Sequence, residues 1–231
     1  MTPLIYKLLL AAHIAAGTTA FVFAPAALAT VKGGKWHRTW GKIYFWMMAL
    51  VALTALVMAA SPLRPNLFLS LVAIFSFYAA FRGYRVLYLK RPEKGDKPTW
   101  YDWFAAGLTV AAGLGLLVRG VLWITAGQRF GWVAVAFSAI AFVQGFQSYR
   151  EFTVLPTDKN HWWYSHMAGM LGSYIAALTA FSAVNFPRWF PEFPQVMTWL
   201  WPTVVGIPLT FVWIAYYKRK FNKNKTLAKA S

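Results

Sequence analysis

The chain has 231 residues, of which 59% are apolar and only 13% charged, and its mean hydropathy is +0.47. A soluble domain carries roughly a quarter charged residues, so this length is spent on membrane spans, and with 6 acidic residues against 23 basic ones there is almost no material for a buried acidic proton relay. The absence of cysteine excludes disulfides, thiolate haem ligation and iron–sulfur clusters, which leaves the 4 histidines as the ligands for any metal or haem.

Crossing about 30 Å of hydrocarbon takes about 20 helical residues. Seven apolar runs are long enough, over 4–29, 40–60, 66–88, 102–126, 131–150, 162–186 and 195–217, and they predict an all-α, seven-helix membrane bundle followed by a basic tail, 218–231. Glycine- and proline-rich connectors such as Lys32-Gly-Gly-Lys35, Ser61-Pro-Leu-Arg-Pro65 and Phe186-Pro-Arg-Trp-Phe-Pro191 separate them. The first run ends in Ala27-Leu28-Ala29, which imitates a signal-peptide cleavage site. At about 22 residues it exceeds the usual apolar core of such a peptide, and it contains a histidine, so it reads as a span.

In that first span His13 shares a face with Ala16, Gly17 and Ala20, a small-residue stripe that admits a neighbouring helix. His37 and Arg38 stand at the mouth of the second span. In the fourth, Arg119 lies near one end, where it either snorkels to headgroups or contacts an anion such as a haem propionate or a lipid phosphate; no carboxylate is expected in a core span to neutralise it. At the start of the sixth span His161 reads as a solvated rim residue. His166, one turn further in, precedes Gly169, Gly172 and Ser173 on a packing face. A five-residue spacing turns about 140° around a helix, so His161 and His166 cannot chelate one ion. In the seventh span, Pro202 and Pro208 suggest a broken helix.

Depth arithmetic puts His13 about 10 Å, and His37 about 7 Å, from the level of His166. Haem bridges such gaps more readily than a bare ion. Eighteen of the 23 basic residues fall on one side of the seven-span topology. The positive-inside rule then predicts an outside N-terminus and a cytoplasmic C-terminus, and the charge reads as a topology signal with affinity for anionic headgroups. No folded basic domain is available for nucleic acid.

Several of these motifs resemble the bacterial membrane family catalogued as domain of unknown function 2306: His13 with Ala15, Ala16 and Gly17, the hinge Lys32-Gly-Gly-Lys-Trp-His37-Arg38 with Gly41 and Tyr44, Arg82-Gly-Tyr-Arg85 ahead of Asp102-Trp103, and the run from His166 to Phe181. The resemblance covers most of the chain. It implies a bacterial inner-membrane location and singles out His13, His37, Arg38 and His166, but it implies no chemistry, because that family has no established activity. The family's usual arginine three residues after the sixth-span histidine is Gly169 here. A weaker similarity links the histidine pattern to di-haem b-type membrane cytochromes, and the span and histidine count to zinc-dependent membrane hydrolases of the adiponectin-receptor and ceramidase type; the latter's His-x-x-x-His pair is absent.

The leading expectation is a buried histidine site that binds b-type haem, another tetrapyrrole or a metal in electron transfer. Cofactor contacts are expected from His13, His37 and His166 with Arg38 and Arg119, and the same three histidines are the metal-ligand candidates, zinc being the lesser one. Three alternatives stay open: a non-catalytic accessory subunit of a larger membrane complex, a transporter or lipid-binding protein, and a zinc-dependent hydrolase. The expected partners are membrane lipids and other membrane subunits.

Overall fold

A computed structural model describes residues 1–230, with side chains described through Asn222. Seven helices are long and apolar enough to cross a membrane: α1 (Pro3–Ala29), α2 (Lys35–Ala59), α3 (Leu67–Arg85), α4 (Trp100–Thr125), α5 (Gly131–Thr153), α6 (His161–Trp189) and α7 (Gln195–Ala230). Three starts carry a side-chain cap. Thr2 accepts from the Ile5 N–H ahead of Pro3, and Asn66 accepts from the Leu69 N–H at 3.0 Å. At α4 the Asp102 carboxylate accepts from the Thr99 N–H at 2.8 Å, which both caps the helix and fixes the carboxylate near its first turn. The α1–α2 connection turns at Gly33, whose φ of 77° favours glycine.

Proline ends these helices less often than the sequence suggests. α6 continues through Pro187 to Trp189, and α7 runs unbroken through Pro202 and Pro208. Neighbouring helices can resatisfy the backbone groups a proline frees inside a membrane. The broken-helix expectation for the seventh span is thus corrected, and the helix continues into the segment expected as a tail; the side chains of Lys223, Lys225 and Lys229 lie outside the described residues.

α1 pairs with α2, α4 with α5 and α6 with α7, while α3 packs against α2, α4, α5 and α6 and so joins the hairpins. The apolar interior has two parts. One is built on Ala20, Ala24, Tyr44, Phe45, Met48 and Ala80 from α1, α2 and α3. The other is built on Phe68, Phe75, Leu116, Val133 and Phe137 from α3, α4 and α5. Because successive helices alternate in direction, the first part lies towards the connectors 30–34, 89–99 and 154–160, which is the basic end of the bundle. The second lies towards the opposite, or far, end. Large apolar side chains such as Leu8, Trp46, Leu114, Phe146 and Phe211 are exposed and suit a hydrocarbon surround.

Between α3 and α6 the contact is backbone on backbone. A Cβ added at Gly169 would stand 2.5 Å from the Gly83 Cα, so any larger residue at position 169 would force the two backbones apart.

Candidate functional site

His37 lies in the first turn of α2, and its Nδ1 is 2.9 Å from the carbonyl of Ala27 in the last turn of α1. His166 lies in the second turn of α6, and its Nδ1 is 2.7 Å from the carbonyl of Gly83 in the last turn of α3. The last four carbonyls of a helix lack intrahelical partners; each histidine meets one, and the Ala27 carbonyl accepts from the Thr30 hydroxyl at 2.8 Å as well. Carbonyls only accept, so Nδ1–H donates in both rings. In the neutral form of either ring the proton sits on Nδ1, and Nε2, which makes no hydrogen bond among the described residues, then carries the lone pair. The two ring centroids are 6.2 Å apart, with planes at 75°. The carboxyl ends of α1 and α3 carry partial negative charge, which favours a cation beside these rings.

The pair belongs to a ladder. α2 and α6 run in the same direction with their Cα atoms more than 8 Å apart throughout. Seven residues beyond each histidine, the Tyr44 hydroxyl and Ser173 Oγ meet at 2.6 Å, forming a second rung about 10 Å deeper. Across this gap α2 and α6 touch through side chains alone.

The other expected site residues are elsewhere. His13 faces α2, with Nδ1 2.9 Å from Thr54 Oγ1 and 3.1 Å from the Val51 carbonyl. Val51 is fourteen residues along α2 from His37, roughly 21 Å, so His13 does not share a site with the pair; the shallower depth estimate is corrected because the first span packs on the far half of α2. Arg38 follows His37 but is exposed. Arg119 stands seventeen residues along α4 from Asp102 at the basic end, roughly 26 Å, and an interaction with a propionate of a group held by His37 and His166 is excluded by that distance. Among the described residues no three of His, Asp and Glu converge as a metal would need, so His13, His37 and His166 do not form a three-histidine site.

A second polar group, only half legible in the sequence, lies beside the pair. Arg82, 8% exposed, donates to Glu151 from Nε at 3.1 Å and from Nη2 at 2.5 Å, and to Gln147 at 2.8 Å. Ser165 on α6 donates to the same Glu151 at 2.6 Å. Arg85 makes a two-pronged contact to the fully buried Asp102 at 2.8 and 3.1 Å. These pairs line a cavity of about 320 Å³, with His161 at its edge; His161 contacts the Asp158 carbonyl at 3.2 Å, apart from His166. The arginines were visible as a motif. Glu151 was not, because the apolar run stops at Arg150 while the helix continues to Thr153. Its signal was a lone acid immediately after a span, level with the only Arg-x-x-Arg in the chain. Outside the spans, burial of the Lys32 amine, which donates to the Leu28 and Thr30 carbonyls at the end of α1, lowers its pKa.

No protein-family model, curated protein or solved structure matches the chain.

Proposed function

We propose that His37 and His166 would together hold one metal of a tetrapyrrole, b-type haem in the first instance, and that the protein transfers electrons within the membrane. The observation that carries this reading is the anchored pair. Each imidazole is tied by Nδ1 to a helix-end carbonyl, and the ring centroids are 6.2 Å apart, close enough for both to reach one metal at about 2 Å per metal–nitrogen bond. A bare zinc site usually takes three or four protein ligands. A macrocycle supplies its own equatorial nitrogens and asks the protein for two, which fits a donor set of two histidines. When bound, such a group supplies one-electron chemistry. The chain's own residues then have distinct tasks: the Ala27 and Gly83 carbonyls orient the rings and fix their tautomer, the Tyr44–Ser173 rung closes the deeper side, and Arg38 at the rim offers a donor to carboxylate substituents.

An optical spectrum of purified protein tests this. The expected result is a Soret band that shifts on dithionite addition, is lost in His37→Ala and His166→Ala, and persists in His13→Ala and His161→Ala. Absence of any such band, both as isolated and after reconstitution with haemin, would overturn it. The second reading, an accessory subunit of a larger membrane assembly, would then stand, since the two Nδ1 bonds also suffice as ties between helices.

The same proposal places the N-terminus outside a bacterial inner membrane and the basic end at the anionic cytoplasmic headgroups, supported by the concentration of eighteen basic residues on that side. A cysteine at Lys94 should then be shielded from an impermeant thiol reagent outside intact cells, and one at Arg188 should react.

A further inference from the structure

At the far end, the start of α3, the end of α4, the start of α5 and α7 enclose a cavity of about 390 Å³, lined by Asn66, Phe68, Arg119, Trp123, Phe130 and Trp199 among others. Its walls are a preformed aromatic cluster. Phe68 lies 5.5 Å from Trp123, 5.3 Å from Phe130 and 5.5 Å from Trp199, and Phe130 lies 5.6 Å from Trp123 and 5.5 Å from Trp199. Arg119 is the single charged residue of the lining, and its guanidinium stacks on Trp123 at 4.8 Å.

No carboxylate neutralises it among the described residues, whose ion pairs are Arg82–Glu151 and Arg85–Asp102, both at the basic end. Glu192 is the sole acidic residue in the far-end connectors and is exposed without pairing to Arg119. Arg119 is exposed, so its guanidinium is open to an anion at the mouth of the cavity, and its planar fork of donors matches a phosphate. The aromatic walls call for an apolar body, and the exposed Leu67 and Leu69 on the lining open it towards hydrocarbon. We infer that this cavity is a binding site for the phosphate head of an anionic phospholipid, with Arg119 as the phosphate ligand and the ring cluster seating the upper part of the chains. This does not depend on the histidine pair holding a cofactor.

The test uses the full chain in an uncharged detergent, titrated with phosphatidylglycerol or phosphatidylcholine and read by native mass spectrometry as stoichiometric lipid adducts. Wild type should retain one phosphatidylglycerol in preference to phosphatidylcholine. Arg119→Gln should hold that lipid about tenfold or more weakly, the loss expected for a charged hydrogen bond, whereas Arg188→Gln, an exposed charge at the same end outside the cavity, should not change it. Should Arg119→Gln fail to fold, Arg119→Lys reports instead: it keeps the charge, loses the forked donors and the flat stack, and should bind more weakly than wild type. Unchanged affinity in these variants, equal retention of phosphatidylcholine, or displacement of the lipid by inorganic phosphate alone would overturn the assignment.

Discussion

At the basic end Arg82 and Arg85 are each gripped by a carboxylate through two nitrogens, with Gln147 as a further acceptor for Arg82 and Ser165 and Thr99 donating to the two carboxylates; at the far end Arg119 is met, among the described residues, by the face of Trp123. Five of the six acidic residues fall at the basic end, so opposite charge is spent where basic charge is densest. The paired arginines tie α3 to α4 and α5 and are difficult to remove singly. The unpaired one constrains little in the fold and leaves its charge available to something else. The histidines divide in the same way: His37 and His166 at the basic end each hold a helix terminus and face one another, while His13 towards the far end makes a simple link between α1 and α2.

The largest effect should come from breaking a pair on one side only. Glu151→Leu leaves the nearly buried Arg82 uncompensated and should destabilise the protein by about 3–5 kcal/mol, whereas the double replacement Arg82→Met with Glu151→Leu should recover most of that loss. Denaturation in detergent mixtures measures both, and equal losses in the single and double variants would contradict a charge-based explanation.

Next in size is the glycine crossing beside the histidine pair. Gly169→Ala forces α3 and α6 apart and should cost about 1–3 kcal/mol, and it should also weaken the His166–Gly83 bond and broaden or abolish the Soret band if one exists. Gly172→Ala, where an added Cβ meets nothing nearer than 3.9 Å, should be tolerated. A histidine pair insensitive to Gly169→Ala would mean that the crossing does not position it.

His13→Ala removes one intramembrane hydrogen-bonded link, for which about 0.6–1 kcal/mol is expected, with no change in any cofactor spectrum. A spectral loss in this variant would join the two ends that the geometry keeps apart. The smallest effect should be that of His161→Ala at the wet rim, within about 0.5 kcal/mol of wild type; a larger one in a thermal melt would show that the ion-pair cavity depends on it.

Much of the bundle was legible because hydrophobic length is a local property. Six of the seven runs start and end within about five residues of their helices, while α7 continues past the expected 217 to Ala230. Ends were less legible where a proline was involved: Pro187, Pro202 and Pro208 lie inside helices because packing supplies what the ring removes. The small-residue faces around His13 and His166 were also readable, since a 3.6-residue repeat places those residues together whatever surrounds them.

The sequence by itself therefore determined that this is a seven-helix membrane protein with its positive charge gathered at one end and with His13 and His166 on packing faces. Which face meets which was decided by the tertiary structure. His37 meets His166 because α2 and α6 run in parallel across a gap that α1 and α3 flank, and His13 misses them because α1 lays it against Thr54. Glu151 finds Arg82 sixty-nine residues away, and Gly169 meets Gly83 backbone to backbone. Such long-range pairings have no local signature: each depends on how whole helices cross, and a crossing is fixed by the summed packing of two surfaces rather than by the residues on either one.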